Sequence, residues 1–114
     1  MGSLYIENDT WSIIGPTEAG PQKWGTGGEM ALWQSKDEGI SWNKIRNITR
    51  NSLYNHSYAR RPLNARDDFY AFWADGDADK VSPSRLYFTN KTGDKVWRLP
   101  YDMNSDFEKP VRIK

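Results

Sequence analysis

The stretch Ser35-Lys36-Asp37-Glu38-Gly39-Ile40-Ser41-Trp42 predicts a tight turn between two β-strands. It lies between two segments rich in apolar residues, 30–33 before it and 42–48 after it. Polar turn residues between such segments are typical of a β-hairpin. The sequence therefore predicts an antiparallel pair of strands here, and the rest of the chain can be placed around it.

Four residues explain why a turn is expected here. Gly39 can adopt a positive φ without steric cost, which suits the tightest point of a hairpin. Ser35 and Asp37 can accept hydrogen bonds from nearby backbone N–H groups and so brace the loop from within. Trp42 is expected to fold back beneath the loop as an apolar plug. We therefore predict a structural role, not a catalytic one, for these four residues.

Written as S-x-D-x-G-x-S-W, the stretch resembles the Asp-box (BNR) motif of sialidase-like β-propellers. In that family the motif joins the outer two strands of a propeller blade. Three further segments, residues 24–33, 55–62 and 68–76, occur around it in an order that resembles BNR-repeat proteins similar to ulvan-lyase-type propellers. The resemblance covers residues 3–100. It implies a secreted or periplasmic bacterial protein that acts on acidic plant or algal polysaccharide.

The composition limits the range of functions. The chain has 114 residues, enough for one ordinary domain, and a net charge of +1, which does not favour nucleic acid or an anionic membrane as a partner. Six Trp, six Tyr and four Phe fit β-structure and surfaces that stack on sugar rings. There is no Cys for disulfides or zinc sites, and no apolar segment long enough to span a membrane. We also expect no signal peptide, since the first residues lack a charged segment followed by an apolar core.

The predicted fold class is all-β, with antiparallel sheets and no segment of helical periodicity. Short apolar or alternating segments bounded by turn residues predict eight strands, at residues 3–7, 11–15, 29–35, 42–48, 56–61, 69–74, 85–89 and 95–99. A loop is expected over 15–28.

The number of strands predicts about two blades of an Asp-box β-propeller, because one blade takes about 40–50 residues. We place blade-like sections at 3–62 and 63–100, followed by an irregular tail at 101–114. A closed propeller has about 4–8 blades. Two blades alone would leave sheet faces uncovered, so we expect either a homo-oligomer or the remainder of a longer propeller as a partner.

A candidate catalytic group lies in the segment 55–62. If it forms a strand, His56, Tyr58 and Arg60 project from one face. Together they could support β-elimination at a uronic acid: Arg neutralises the carboxylate, while His or Tyr removes the adjacent proton. The alternative is that His56 and Tyr58 form a hydrogen-bonded core or interface pair. By the resemblance, these three positions are site residues of an enzyme on anionic polysaccharide, a lyase or glycosidase, although blades that should supply other site residues are missing.

Other residues are candidates for binding carbohydrate. They are Trp24, Arg61 and Trp73, with Trp33 as a further stacking or packing surface; Arg61 could instead be a packing or salt-bridge partner. They support an alternative function, a non-catalytic carbohydrate-binding or assembly module. A sialidase, which would use Arg60, Tyr58 and Asp75, and a remnant without function of its own are two further alternatives.

No cofactor is expected, although alternating acidic residues at Asp75, Asp77 and Asp79 leave a calcium loop open as an alternative. An EF-hand needs Gly at its sixth position and Glu at its twelfth, where this chain has Lys80 and Leu86. An exposed acidic turn is the simpler interpretation.

Overall fold

The computed structural model of the protein describes residues 2–23 and 27–114. Within them the regular structure is entirely β, which confirms the predicted fold class. The strands are β1 (Ser3–Glu7), β2 (Thr10–Glu18), β3 (Glu29–Ser35), β4 (Asn43–Asn47), β5 (Asn55–His56), β6 (Ala71–Gly76), β7 (Leu86–Thr89), β8 (Val96–Arg98) and β9 (Val111–Arg112). Within the same residues, no helix has the length and hydropathy required to cross a bilayer.

The strands form two antiparallel sheets in which neighbours in the chain are also neighbours in space. The first sheet has the order β1-β2-β3-β4 and the second β5-β6-β7-β8-β9. The boundary between the sheets falls between β4 and β5, earlier than the expected division at 62/63, because His56 already pairs with Asp75 of β6. The tail 101–114 is also more regular than expected, since it contributes β9.

Each predicted strand overlaps an observed one, and the differences have local causes. Strand β2 extends to Glu18, through a register shift after Gly15 that allows Glu18 to pair with Glu29. The strand predicted over 56–61 ends at His56; Ser57 still donates a backbone hydrogen bond to Ala74, and the chain forms a bridge with β6 again at Arg60. Strand β9 forms because β8 offers it an unpaired edge, which no local pattern reveals.

The inner faces of the two sheets share one core. Tyr5 of β1 and Tyr70, which precedes β6, stack with ring centroids 4.1 Å apart, and the Tyr5 hydroxyl donates to the Tyr70 carbonyl. The Ser3 hydroxyl donates to the Ala59 carbonyl at 2.8 Å. The other buried apolar members are Ile14, Met30, Leu32, Ile48, Ala71, Trp73, Tyr87 and Val96. Burial of these side chains against each other provides the hydrophobic stabilisation that holds the sheets together.

The turn between β3 and β4 has the predicted conformation. Glu38 and Gly39 have φ values of 58° and 87°, and the Ile40 N–H donates to the Asp37 carbonyl at 3.4 Å. These φ values match the two central residues of a type I′ turn, which lies within the loop 36–42 between β3 and β4. Glycine is needed at position 39 for two reasons. Residues with a side chain rarely adopt this φ, and a Cβ at this position would lie 2.9 Å from Cζ3 of Trp11.

Polar side chains brace the same turn. The Gly39 N–H donates to Ser35 Oγ at 2.8 Å, and the Ser41 N–H donates to Asp37 Oδ1 at 2.9 Å. Hydrogen bonds from the Ser41 hydroxyl and backbone and from Ser35 lower the pKa of Asp37 to about 2. The Trp42 indole N–H donates to the Gly39 carbonyl at 3.1 Å, so the ring folds back onto the loop as expected.

We predict opposite effects of two neighbouring substitutions in this turn. Gly39→Ala should lower the free energy of unfolding by at least about 1 kcal/mol, because a left-handed conformation costs a non-glycine residue roughly 1–2 kcal/mol. Glu38→Asn should raise it slightly, since Asn tolerates positive φ better than Glu. Urea unfolding followed by tryptophan fluorescence measures both. Equal stability of Gly39→Ala and the unsubstituted protein would contradict the turn assignment.

Candidate functional site

An open cleft of about 430 Å³ lies where the end of the first sheet meets the second. One wall is the segment 48–54, which follows β4. The opposite wall comes from β7, β8 and the C-terminal residues Ile113 and Lys114. The segment that follows the first sheet and strands of the second sheet therefore build the cleft.

Positive charge dominates the lining of the cleft. Its charged side chains are Arg50, Arg85, Arg98, Lys114 and one carboxylate, Asp75. Within residues 2–23 and 27–114, no ion pair joins any of the four cations to a carboxylate. The Asp75 carboxylate is instead held from two sides. Its Oδ1 accepts a hydrogen bond from the backbone N–H of Arg85 at 2.8 Å, and its Oδ2 accepts one from the Tyr87 hydroxyl at 2.7 Å. The cleft is thus electrostatically suited to an anion.

Two titratable groups of the cleft are shifted by their surroundings. Burial, together with the hydrogen bond to Asp75, raises the pKa of Tyr87 to about 12, while the neighbouring Arg98 guanidinium partly opposes the rise. Burial also lowers the pKa of Lys114, and the nearby cations Arg50 and Arg46 add to that effect. The Lys114 ammonium donates to the Asn47 carbonyl at 2.6 Å, so the C-terminus is tied to the end of the first sheet.

His56 lies at the inner side of this cleft and is only 2% exposed. The Trp73 indole N–H donates to Nδ1 at 2.9 Å. Since an indole nitrogen can only donate, Nδ1 must be unprotonated and Nε2 must carry the proton. Nε2 therefore donates to Ser52 Oγ, 2.8 Å away.

The hydrogen bonds continue from Ser52 to Glu29. The Ser52 hydroxyl donates to Oε1 at 2.6 Å, its N–H donates to Oε2 at 2.9 Å, and the Thr49 hydroxyl donates to Oε1 at 2.7 Å. Burial alone would raise the pKa of Glu29, but the hydrogen bonds from Ser52 and Thr49 lower it overall. Burial lowers the pKa of His56, although Asp75 and Glu29 act in the opposite direction. We call the four side chains Glu29, Ser52, His56 and Trp73 the buried network.

This network bears on the predicted catalytic role of His56. Both imidazole nitrogens are occupied, and the protonated one already donates, so neither is free to take a proton from a ligand in this conformation. The geometry matches the alternative interpretation, a hydrogen-bonded core histidine, except that its partner is Trp73 and not Tyr58.

The expectation that His56, Tyr58 and Arg60 share one face is wrong. His56 lies opposite Asp75 and Arg60 opposite Phe72, so four residue steps on one strand match three on the other. The extra residue is a bulge, and it turns Arg60 to the opposite face. Tyr58 and Arg60 remain together on the surface, with the guanidinium 4.9 Å from the ring centroid.

The residues predicted to bind carbohydrate are also dispersed. Trp24 lies outside the described residues. Trp73 is 2% exposed and offers no ring face to a sugar. The Arg61 guanidinium lies 4.9 Å from the Tyr5 ring centroid, which fits the packing role left open for it. Trp33 is half-buried on the outer side of β3, and its N–H donates to Thr17 Oγ1 at 2.8 Å.

The acidic residues proposed for calcium do not converge. Asp75 is held in the cleft by Tyr87 and Arg85, while Asp77 Oδ1 accepts from the Asp79 N–H at 2.8 Å in an exposed turn. In the part of the chain that the structure describes, no group of three or more His, Cys, Asp or Glu side chains is arranged to hold a metal ion.

Only part of the cleft lining can be predicted from the sequence. Arg50 belongs to a stretch, residues 43–66, that contains basic but no acidic residues, and such a stretch predicts a cationic surface. Arg85, Arg98 and Lys114 come from three separate segments, and no spacing links them. Only the sheet topology brings them together.

Comparison with known proteins gave no match to a family model, to a curated protein or to a solved structure.

We predict a pH dependence of stability that originates in His56, the single histidine of the chain. Its folded pKa lies below the ordinary 6.5, so the unfolded chain binds the proton more readily as the pH falls through that value. The free energy of unfolding should then decrease with falling pH, by at most about 1.4 kcal/mol per pH unit, until the folded pKa is reached.

Urea unfolding between about pH 5.5 and 7.5 measures this slope, above the range in which carboxylates titrate. His56→Gln is the control, because its amide can accept from Trp73 and donate to Ser52 without titrating. An equal slope in His56→Gln would assign the effect to other groups.

Proposed function

We propose that the chain forms two adjoining blades of an Asp-box β-propeller and binds an anionic polysaccharide in the cleft between its sheets. The observation that carries the binding proposal is the set of four cations, Arg50, Arg85, Arg98 and Lys114, without an acidic ion-pair partner among the described residues. A cation without a carboxylate partner keeps its full charge, so the four together attract an anionic ligand.

The residue types suit carboxylates on sugar rings. An Arg guanidinium can bind a carboxylate through two parallel hydrogen bonds, and Lys contributes a compact charge. Two further side chains of the cleft, Leu53 and Tyr54, offer contacts to the apolar sides of sugar rings. The chain as a whole is close to neutral at +1, so the positive potential is local to the cleft.

Two features support the propeller part of the proposal. The first sheet is a four-stranded antiparallel meander, the arrangement of a propeller blade. The Asp-box turn joins its last two strands, β3 and β4, as the resemblance implies.

We predict that Arg98→Gln weakens binding of an oligogalacturonate by about 10–100-fold. A hydrogen bond between charged groups contributes about 1.5–3 kcal/mol, and 1.4 kcal/mol corresponds to a factor of ten in Kd. Titration calorimetry at low and high salt measures the affinity, which should also fall with added salt.

Arg66→Gln is the matched control, since Arg66 is exposed, faces Asp68 at 3.7 Å and lies outside the cleft. It should leave the affinity unchanged. Equal loss in both variants, or no binding of oligogalacturonate by the unsubstituted protein, would overturn the proposal.

A second candidate function, cleavage of the bound polymer, is favoured by one arrangement. The Tyr87 hydroxyl donates to Asp75, and Arg98 lies beside it. In a β-elimination at a glucuronate, whose C5 proton and O4 lie on the same face of the ring, Arg98 would bind the carboxylate, Asp75 would accept the C5 proton, and Tyr87 would give its proton to the leaving oxygen at C4. Transfer of the proton from Asp75 to the Tyr87 phenolate then restores both groups.

For this second function, Tyr87→Phe should abolish product formation from an oligoglucuronate while it leaves the affinity for that oligomer within about twofold, because the phenol mainly serves proton transfer. Ultraviolet absorbance of the new C4–C5 double bond measures product. If the unsubstituted protein binds the oligomer but forms no such product, cleavage is excluded and binding remains.

A further inference from the structure

Each sheet presents a second, apolar face on the side away from the shared core. The outer face of the first sheet consists of Leu4, Ile6, Trp11, Ile13 and Trp33. The outer face of the second sheet consists of Phe69, Phe72, Leu86, Phe88 and Trp97. Several members are largely exposed, among them Ile6 at 54% and Leu86 at 49%. Contiguous apolar surfaces of this kind on a small protein mark interaction sites.

The strand register establishes that these side chains point outward. Leu4 lies opposite Ile13, which lies opposite Trp33, whereas the alternate residues of the same strands point into the core. Likewise, Phe72 lies opposite Phe88, which lies opposite Trp97. Opposed residues in antiparallel strands share a face, so each set forms one continuous surface.

The aromatic rings of the second sheet are packed against one another. Phe88 and Trp97 stack at 5.0 Å with an angle of 11° between planes, and Phe69 stacks on Phe88 at 4.7 Å. Because these two neighbours stack on the Phe88 ring, the edge of the ring is the part that can contact a partner. Such a surface suits the side chains of another protein better than a flat sugar or base.

Cations flank the second face, whereas the turn end of the first sheet is net acidic. Arg60 and Arg112 lie opposite Phe72 and Trp97 and so end the aromatic row on both sides. In the first sheet, the β1–β2 and β3–β4 turns at one end carry the exposed carboxylates Asp9 and Glu38. Neither Asp9 nor Glu38 forms an ion pair within residues 2–23 and 27–114. In the first sheet Lys44 lies opposite Trp33 but is paired with Glu18, and at the turn end three carboxylates, Asp9, Asp37 and Glu38, outnumber Lys36.

We propose that the occupant of each face is a second copy of this chain. The outer face of the first sheet packs on the outer face of the second sheet of the next copy, head to tail. One kind of contact then covers both apolar faces of every chain and brings Arg60 and Arg112 towards carboxylates. The Trp, Phe and Arg content matches that of the residues that contribute most to binding in protein interfaces. The proposal depends only on these faces and not on any ligand in the cleft.

Two double variants test the head-to-tail contact, each confined to exposed members of one face. Leu4→Lys/Ile6→Lys alters the first sheet and Phe69→Lys/Leu86→Lys the second. Because both introduce positive charge, mixing them creates no new attraction. Leu63→Lys/Val81→Lys is the control, since these two apolar residues are fully exposed outside both faces. Cooperative urea unfolding verifies that each variant is folded.

Light scattering after size exclusion gives the mass of each sample. We expect an assembly larger than a monomer for the unsubstituted protein and the control, monomers for each double variant alone, and a dimer when the two variants are mixed in equal amounts. The mixed dimer forms because each variant retains the face that the other lacks.

Three results would overturn the proposal: a monomeric unsubstituted protein, a double variant that still dimerises alone, or a mixture that stays monomeric. A dimer of one variant alone would mean that a face pairs with itself.

Discussion

The buried network is the interaction on which the arrangement of the two sheets depends. It begins at Glu29, the first residue of β3, passes through Ser52 in the connecting segment and ends at His56 and Trp73 in the second sheet. Beside it, Gly28 and His56 exchange two backbone hydrogen bonds of 2.9 and 2.8 Å. Buried polar groups are costly when unpaired, so the network stabilises only the one relative position of the sheets that satisfies all of them.

The same network holds one wall of the cleft in place but contributes none of the four cations that line it. Thr49 and Ser52 bind the Glu29 carboxylate and thereby hold the segment 48–54 as a wall. That wall carries Arg50, while Arg98 reaches the cleft from β8. A neutral histidine and a saturated carboxylate thus lie behind a cationic surface. The two parts have different requirements. The buried network is stable only when all its polar groups are hydrogen-bonded, whereas a binding surface for anions needs positive charge that no carboxylate neutralises.

The outer faces explain why this chain is unusual as an isolated unit. Its inner faces are joined by stacked Tyr5 and Tyr70 and by the apolar core, yet exposed apolar side chains, Ile6 and Leu86 among them, remain on the outside of both sheets. A chain of this size can bury only about 60–70% of the surface that it exposes when unfolded. Association through those faces would extend the packing that a two-sheet unit cannot complete by itself.

Features that depend on residues close together in the chain can be predicted from the amino-acid sequence. The type I′ turn at Glu38 and Gly39 follows from local backbone preference, and the alternation of side chains predicts most strands to within a few residues. The tertiary structure alone decided which face a side chain occupies after His56, because one inserted residue in the pairing with β6 reverses it. It also decided the cleft, since Arg85, Arg98 and Lys114 meet only through strand pairing. Turns and strands depend on interactions within short stretches of the chain, whereas strand register and the cluster of cations depend on contacts between residues that are far apart in the chain.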